Sequence, residues 1–557
     1  MNDRPSGPRP AVLLFATDRR VLLVLLAASL LLVATGIGGR DLWDPDEPRT
    51  AVITAGLLRD GRWAAPEQHG HPWLEKPPLY YWLASAASSA LGGVSETSAR
   101  IPANAAAVLT ALVLFALGRS LFGRRCGGLA ALVLLTTEDF LIEARWARPD
   151  MLLALLLTAA VLCLWHATQA GGAGWWAGFF LACGLGVLAK GPVGLLPIPG
   201  ALLYLASTRR LRRLLQPDWI VSLPLLFVPA GLWMLAWSAS TGERFPLGEL
   251  LGRFAERVVS GLHHPRPAWH VLTTLPLALL PWIALLPATI AETWPRPGRP
   301  RDDRLAFVYS LLASDLLIFA ASVEKRGVYL LPMVPLIALL IGRYWDVSLF
   351  DWDPPPARRL VSAGLWCWAA IVAAAAIVVW RRAGREAPDL VTAGSWLGIA
   401  GLMAFLPPAL LLRRIGPGRA IGVFAAGAAA TGLVIVHLVL PALDPLKSAR
   451  PLAARVAEAT GEAPIGIHPD PHAGLAWYLA RPVTLLPDRE ALFRFLDPPG
   501  RGVGLVERTA WDLAQASAPD GTEVVLSGRV GHREFVLVRR TGDGAEVPRD
   551  APADGAP

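Results

Sequence analysis

Long apolar runs recur along this chain, about 16 to 24 residues each, and nothing else in it restricts the fold so severely. At about 1.5 Å per residue, each run can cross the roughly 30 Å hydrocarbon core of a bilayer. In hydrocarbon every backbone N–H and C=O needs an internal partner, so such runs fold as helices and bundle together. Composition agrees. Of 557 residues, 54% are hydrophobic and only 17% are charged, against about 25% charged in soluble proteins. The expected fold class is a polytopic α-helical membrane protein of about 13 transmembrane helices, with a small C-terminal soluble α/β domain.

The thirteen runs are read as spans at 21–37, 101–117, 127–142, 151–167, 175–188, a sixth ending near 205, then 219–237, 271–290, 305–323, 330–341, 360–380, 390–412 and 421–440. Arg-rich connections mark the cytoplasmic side: Arg119 with Arg124 and Arg125, RRLRR at 209–213, and WPRPGRPRDDR at 294–304. They also account for the net charge of +8 without a nucleic-acid partner. Residues 1–20 are then cytoplasmic, and an odd number of spans puts the tail on the far side. The first run follows Arg19 and Arg20 and carries no small-residue cleavage pattern, so it reads as a retained span. Cys126, Cys163, Cys183 and Cys367 show neither a disulfide framework nor zinc-ligand spacing.

Beyond the membrane part (21–443), residues 444–540 alternate helical and strand patterns, as in a small α/β domain. LAARVAEAT, GLAWYLA and REALFRFL read as helices; PIGIH, PVTLL, GVGLVE and EFVLVRR read as strands. There is no phosphate loop and no nucleophile motif. Residues 541–557, rich in Gly, Pro and Asp, read as a disordered tail.

The polar residues are concentrated on one side. The first far-side loop, 38–100, contains WDPDEPRTA and GRWAAPEQHGHPWLEKPPLYYWL, with short helices expected at 48–59 and 77–91. With the other far-side connections it brings Asp46, Glu47, Arg49, Glu75, Lys76, Arg148, Asp150, Lys190, His263, His264, Lys325 and Tyr329 to one face of the membrane. Charges at that depth are costly unless paired or facing water, so the clustering marks a site. Mixed carboxylates and cations suit a bound phosphate beside a positioned nucleophile. Each element also has a plainer explanation. Asp46, Glu47 and Asp150 sit where first-turn carboxylates cap helices. Lys325 can anchor a span at the interface, and His263 and His264 can be loop surface. His69 and His71 are read as loop residues.

Taken in order, WDPDEPRTA, EKPPLYYWL, RIP, RWARPDMLL, LAKGPVGLL and KRGVYLLPMVPL resemble the GT-C membrane glycosyltransferases of the lipid A aminoarabinose transferase and protein O-mannosyltransferase type. The resemblance covers about residues 20–345. It implies transfer of a sugar from a polyprenyl-phosphate donor to a lipid A-like glycolipid, a polysaccharide or a protein hydroxyl. The enzyme would lie in the bacterial inner membrane, with its site facing the periplasm. Carried over residue by residue, it implies catalytic roles for Asp46, Glu47 and Asp150. It implies donor-phosphate binding by Arg49, Lys76, Lys325 and Tyr329. It also implies that Glu75 and His263 or His264 hold a divalent metal such as Zn in some members. No other cofactor is implied. Thr50 stands where the family often has an aromatic, and Trp73 where it often has Tyr. Without a dedicated second nucleophile the expected route is a single inverting displacement, a retaining route staying open. Two other classes fit less of the pattern. A transporter or flippase of a lipid-linked sugar needs mid-span ionisable groups or broken repeats, and a scaffold needs no loop charges.

Overall fold

The computed structural model describes residues 17–541 except 69, 260–264, 296–300, 350–354, 387, 471 and 498–501. Among the described residues nine helices are long and apolar enough to cross a membrane. A bent pair, His270–Ala278 and Trp282–Thr293, turned by 107°, makes a tenth if counted as one span. The runs expected at 21–37, 127–142 and near 205 form shorter pieces. These are Asp18–Ser29 continued by a π-helical Leu30–Ala34, Arg124–Leu135, and Pro197–Ser207. The chain is a multi-pass membrane protein. Its large apolar core is continuous across these helices, with Leu134, Phe140, Trp282, Phe307 and Tyr344 all fully buried.

Small residues set the closest approach in the bundle, as they do where helices pack in lipid. A Cβ on Gly118 would lie 2.6 Å from Gly127 Cα, so only glycine lets Glu96–Phe122 and Arg124–Leu135 meet there.

The first loop is folded. Helix α1 is Asp46–Asp60 and ends on Gly61, whose φ of +67 favours glycine and whose N–H returns to Leu57 O at 3.1 Å. A two-residue hairpin, β1 (Glu67–Gln68) and β2 (His71–Pro72), follows. Helix α2, Leu79–Ala90, comes next, its Tyr80 and Tyr81 buried. Both helices lie where the sequence placed them. Helix α3, Glu96–Phe122, begins five residues before the span expected at 101, because Ser95 and Ser98 form a capping box.

Among its described residues the tail carries five strands: β3 (Ile465–His468), β4 (Val483–Leu485), β5 (Val503–Glu507), β6 (Thr522–Val530) and β7 (Arg533–Arg540). Their order is β4-β3-β5-β7-β6. β3 runs parallel to β4 and β5, while β7 is antiparallel to β5 and β6. Period-two alternation feeds two cores. Leu505, Phe535 and Leu537 pack with helices Arg450–Thr460 and Ala473–Leu479. Val506, Val536 and Val538 pack with Leu492, Leu496 and Trp511 on the other face. The domain is therefore a mixed sheet between helices, as expected. β6 and the helix Arg508–Ala514 are additions to the sequence reading. The expected disordered tail lies almost wholly outside the described residues, which end at 541.

Candidate functional site

The first turn of α1 presents Asp46. Its side chain caps no backbone amide; it meets three cations instead. Asp46 Oδ1 accepts a hydrogen bond from Lys76 Nζ at 2.7 Å. Its Oδ2 lies 3.8 Å from Arg148 Nη1 and 3.7 Å from Arg326 Nη2. Burial opposes ionisation of this carboxyl, but Lys76, Arg148 and Arg326 outweigh it and hold the group well below the usual carboxylate range. Lys76 arrives from the loop, immediately before Pro77 and Pro78, which are buried at the start of α2.

Asp150 is also turned away from the backbone. Lys190, at the end of helix Ala173–Lys190, donates to its Oδ1, and Arg148 Nε lies 3.6 Å from its Oδ2. Arg148 also pairs with Glu143, its Nε donating to Oε2 at 3.0 Å. Lys190 Nζ stands 4.9 Å above the Tyr329 ring, whose hydroxyl donates to Glu324 Oε1 at 3.3 Å. Arg148 thus joins the two acidic centres in one constellation. Lys76, Arg148, Lys190 and Arg326 face Asp46, Glu143 and Asp150, with the buried Glu324 carboxyl beside Tyr329. Arg49 is a further cation of the first loop. Its guanidinium carbon lies 4.8 Å over Trp73, and among the described residues it makes no ion pair within 4 Å.

Three expectations need correction or a limit. Glu47 does not face the site. It is fully buried, and its oxygens take Arg40 at 2.5 Å, Arg100 at 2.8 and 3.2 Å, the Trp43 N–H at 3.1 Å and the Ala147 N–H at 3.0 Å. Burial opposes its ionisation, yet Arg100 and Arg40 hold its pKa down to about 2. A carboxylate so filled has no lone pair left for a substrate; it ties the loop to the bundle. Lys325 is the second correction. Its ammonium is spent on the backbone carbonyls of Ser322 and, at 3.2 Å, Arg266. The neighbouring Arg326 reaches Asp46 in its place. Arg326 is extended (φ −122, ψ 146), and successive side chains on extended backbone point to opposite sides. The motif names both cations but not which one turns inward.

The metal expectation rests on residues seen only in part. His263 and His264 lie outside the described residues, and Glu75 stands half-buried beside Lys76. Among the described residues no group of three or more His, Cys, Asp or Glu could hold a metal.

The C-terminal domain packs on the segment that precedes Asp46. Asp444 accepts the Asp41 N–H at 3.1 Å and the Trp43 indole N–H at 2.7 Å. Tyr478 Oη accepts the Leu42 N–H at 2.7 Å. Asp44 Oδ1 accepts the Gly474 N–H at 3.1 Å and lies 3.5 Å from His472 Nδ1. Burial pushes the Asp44 carboxyl up to about 7 despite Gly474, Arg49 and Arg533, and pushes His472 down to about 3, with Arg533 and Arg49 adding to it.

Comparison with known proteins places this geometry. Residues 75–237 match the family described as dolichyl-phosphate-mannose-protein mannosyltransferase. Among solved structures, ArnT from Cupriavidus metallidurans bound to undecaprenyl phosphate shares the fold, with TM-score 0.75 over 94% of this chain and 98% of that one, at 21% identity. The undecaprenyl phosphate-alpha-4-amino-4-deoxy-L-arabinose arabinosyl transferase of Serratia proteamaculans is 31% identical over 338 residues. That match covers 58% of each chain, so this protein spans a little over half the length of that relative. The enzyme of the same description from Pseudomonas paraeruginosa is 31% identical over 401 residues, 68% of this chain and 71% of the relative. The loop and span motifs that carry the resemblance hold one charged constellation within a shared fold, and the chain belongs to the family of undecaprenyl phosphate-aminoarabinose arabinosyl transferases.

Proposed function

We propose that this chain is an integral-membrane glycosyltransferase. It moves a sugar from a polyprenyl-phosphate donor to a lipid A-like glycolipid or another cell-envelope acceptor, at the periplasmic face of the inner membrane. One observation carries the reading: Asp46 and Asp150, both buried, share four cations at one end of the bundle. Relatives described as arabinosyl transferases acting from undecaprenyl phosphate support it.

The chemistry follows from those charges. The bond between the anomeric carbon and the donor phosphate oxygen breaks, and the electron pair leaves with the phosphate. Lys76, Arg49, Arg148, Lys190 and Arg326 neutralise the charge that grows there, an electrostatic effect that is often the largest catalytic contribution. The same phosphate competes with Asp46 and Asp150 for their cations. A carboxylate partly stripped of its cation regains proton affinity. Asp46 then accepts the proton of an acceptor hydroxyl, or simply orients an acceptor that is already an anionic phosphate. Attack from the face opposite the leaving phosphate inverts the anomeric centre. Tyr329, whose ring lies 4.9 Å beneath Lys190 Nζ, is assigned in this reading to the donor's sugar-phosphate. A transporter reading finds less support, because the clustered charges stand at one end of the helices.

The test is a transfer assay on membranes containing the protein, with a panel of labelled polyprenyl-phosphate sugars and extraction into glycolipid, polysaccharide and protein fractions. Label in the glycolipid fraction supports the reading. Label only in protein names the other acceptor class. Donor that merely changes leaflet, with no product, would overturn the transferase reading.

A further inference from the structure

The segment 41–44 is held from two sides. Toward the bundle, the Trp43 N–H goes to Glu47 Oε2 at 3.1 Å, and the Asp41 carbonyl accepts from Arg40 and Arg100. Toward the C-terminal domain, Asp444, Tyr478 and Arg450 take the backbone of 41 and 42, the Trp43 indole and the Asp41 carboxylate, the last at 3.1 Å. Trp43 and Ser448 form an antiparallel bridge.

The Asp44 side chain also reaches that domain. A Cβ on Gly474 would stand 2.2 Å from Asp44 Oδ2 and 2.7 Å from Oδ1, so the carboxyl is seated against bare Cα. Oδ2 is buried with no hydrogen-bond partner among the described residues. A polar group buried with half its capacity unused costs stability, and what the contact supplies is direction. It sits two residues before Asp46, where α1 begins. The sequence reading gave Asp44 no role, and the transfer chemistry does not use it.

We propose that Asp44 is a positioning residue: seated on Gly474, it lets the C-terminal domain set the turn that aims Asp46 at Lys76, Arg148 and Arg326. This rests on the transfer reaction above. The carboxyl never meets substrate. Loss of the contact lets the start of α1 shift, and a misplacement of about 1 Å can cost roughly a hundredfold in rate. Donor binding is kept, because Lys76 and Lys190 come from outside that turn.

The experiment compares the purified full-length protein with Asp44→Ala, Asp44→Asn, Gly474→Ala and the Asp44→Ala/Gly474→Ala double variant. Each Ala variant should lower kcat roughly ten- to a hundredfold per folded molecule, with donor KM within about threefold. The double variant should be no worse than the worse single, because both act through one contact. Asp44→Asn keeps the acceptor for the Gly474 N–H and should recover most of kcat. Unchanged kcat in Asp44→Ala, multiplying losses in the double variant, or an Asn variant as damaged as Ala would each overturn the proposal. Hydrogen exchange over residues 41–50 reads the contact without catalysis. Faster exchange in Gly474→Ala is expected even if the wild type transfers nothing, which would count against the transfer reading alone. Unchanged exchange there would overturn the positioning role.

Discussion

In the proposed transfer Asp46 is the residue on which the chemistry turns, and its environment decides its charge. Lys76, Arg148 and Arg326 overcome the cost of burial and keep it ionised at any physiological pH. Asp46→Asn should therefore remove the resting charge and, with it, the group that takes the acceptor's proton. Transfer should fall by roughly two to three orders of magnitude, about 3 to 4 kcal/mol in the barrier, with the protein still folded by its melting transition. The two cations after Glu324 offer a sharper comparison. Arg326→Ala should slow transfer roughly tenfold, less than a fully buried donor would. Lys325→Ala should lower the melting temperature first, because its ammonium holds two backbone carbonyls. The reverse pattern in paired activity and melting measurements would put Lys325 in the site after all. The motif EKRG shows that a cation stands here. It does not show which one faces inward, because that depends on a single extended residue.

At the scale of an element, α1 is both readable and misleading. Pro48, the carboxylates around it and Gly61 mark a helix, and one forms. The two carboxylates look alike in sequence yet part company in the fold. Asp46 faces the cations of the site, while Glu47 points into Arg40 and Arg100 beneath it. Only the packing of α3 against the loop separates them, because Arg100 is distant in sequence and fully buried in space. Glu47→Gln should leave buried guanidiniums unpaired, at a cost of about 3 to 5 kcal/mol. Poor accumulation, or a clearly lower melting point in detergent, is the expected result. A stable, folded Gln variant lacking only activity would make Glu47 catalytic. Strand β6 was missed for a related reason. It is the edge strand next to β7, and residues such as Glu523, Val524 and Val525 stay exposed, so no buried apolar face marks it.

Across the whole molecule, the spans were legible from length and hydropathy, whereas the breaks within them were not. The 107° bend falls at Pro281, just before Trp282, and the short helix begins at Pro197, so the prolines carried a signal that the reading of spans by length alone passed over. The docking of the C-terminal domain was invisible in sequence, since its contacts join residues some 400 positions apart. That junction should respond to pH in a defined way. Asp44 has its pKa raised from 3.8 to about 7, so its contribution is full below about 4 and is lost as pH rises through about 7. His472 is lowered from 6.5 to about 3, so its contribution is present above about 6.5 and is lost as pH falls toward about 3. Between about 4 and 6.5 the two slopes oppose each other. Asp44→Asn should therefore make the domain's melting transition fall with acidification below about 6.5, where the wild type stays nearly level.

All of this depends on the cation-rich constellation being the place of sugar transfer. The direct check uses membranes carrying wild type, Asp46→Asn and Lys76→Ala, each confirmed as inserted, supplied with labelled polyprenyl-phosphate sugar. Label should move to the acceptor with the wild type and fall to background with both variants. Equal transfer by all three proteins would make these charges structural and place the chemistry elsewhere.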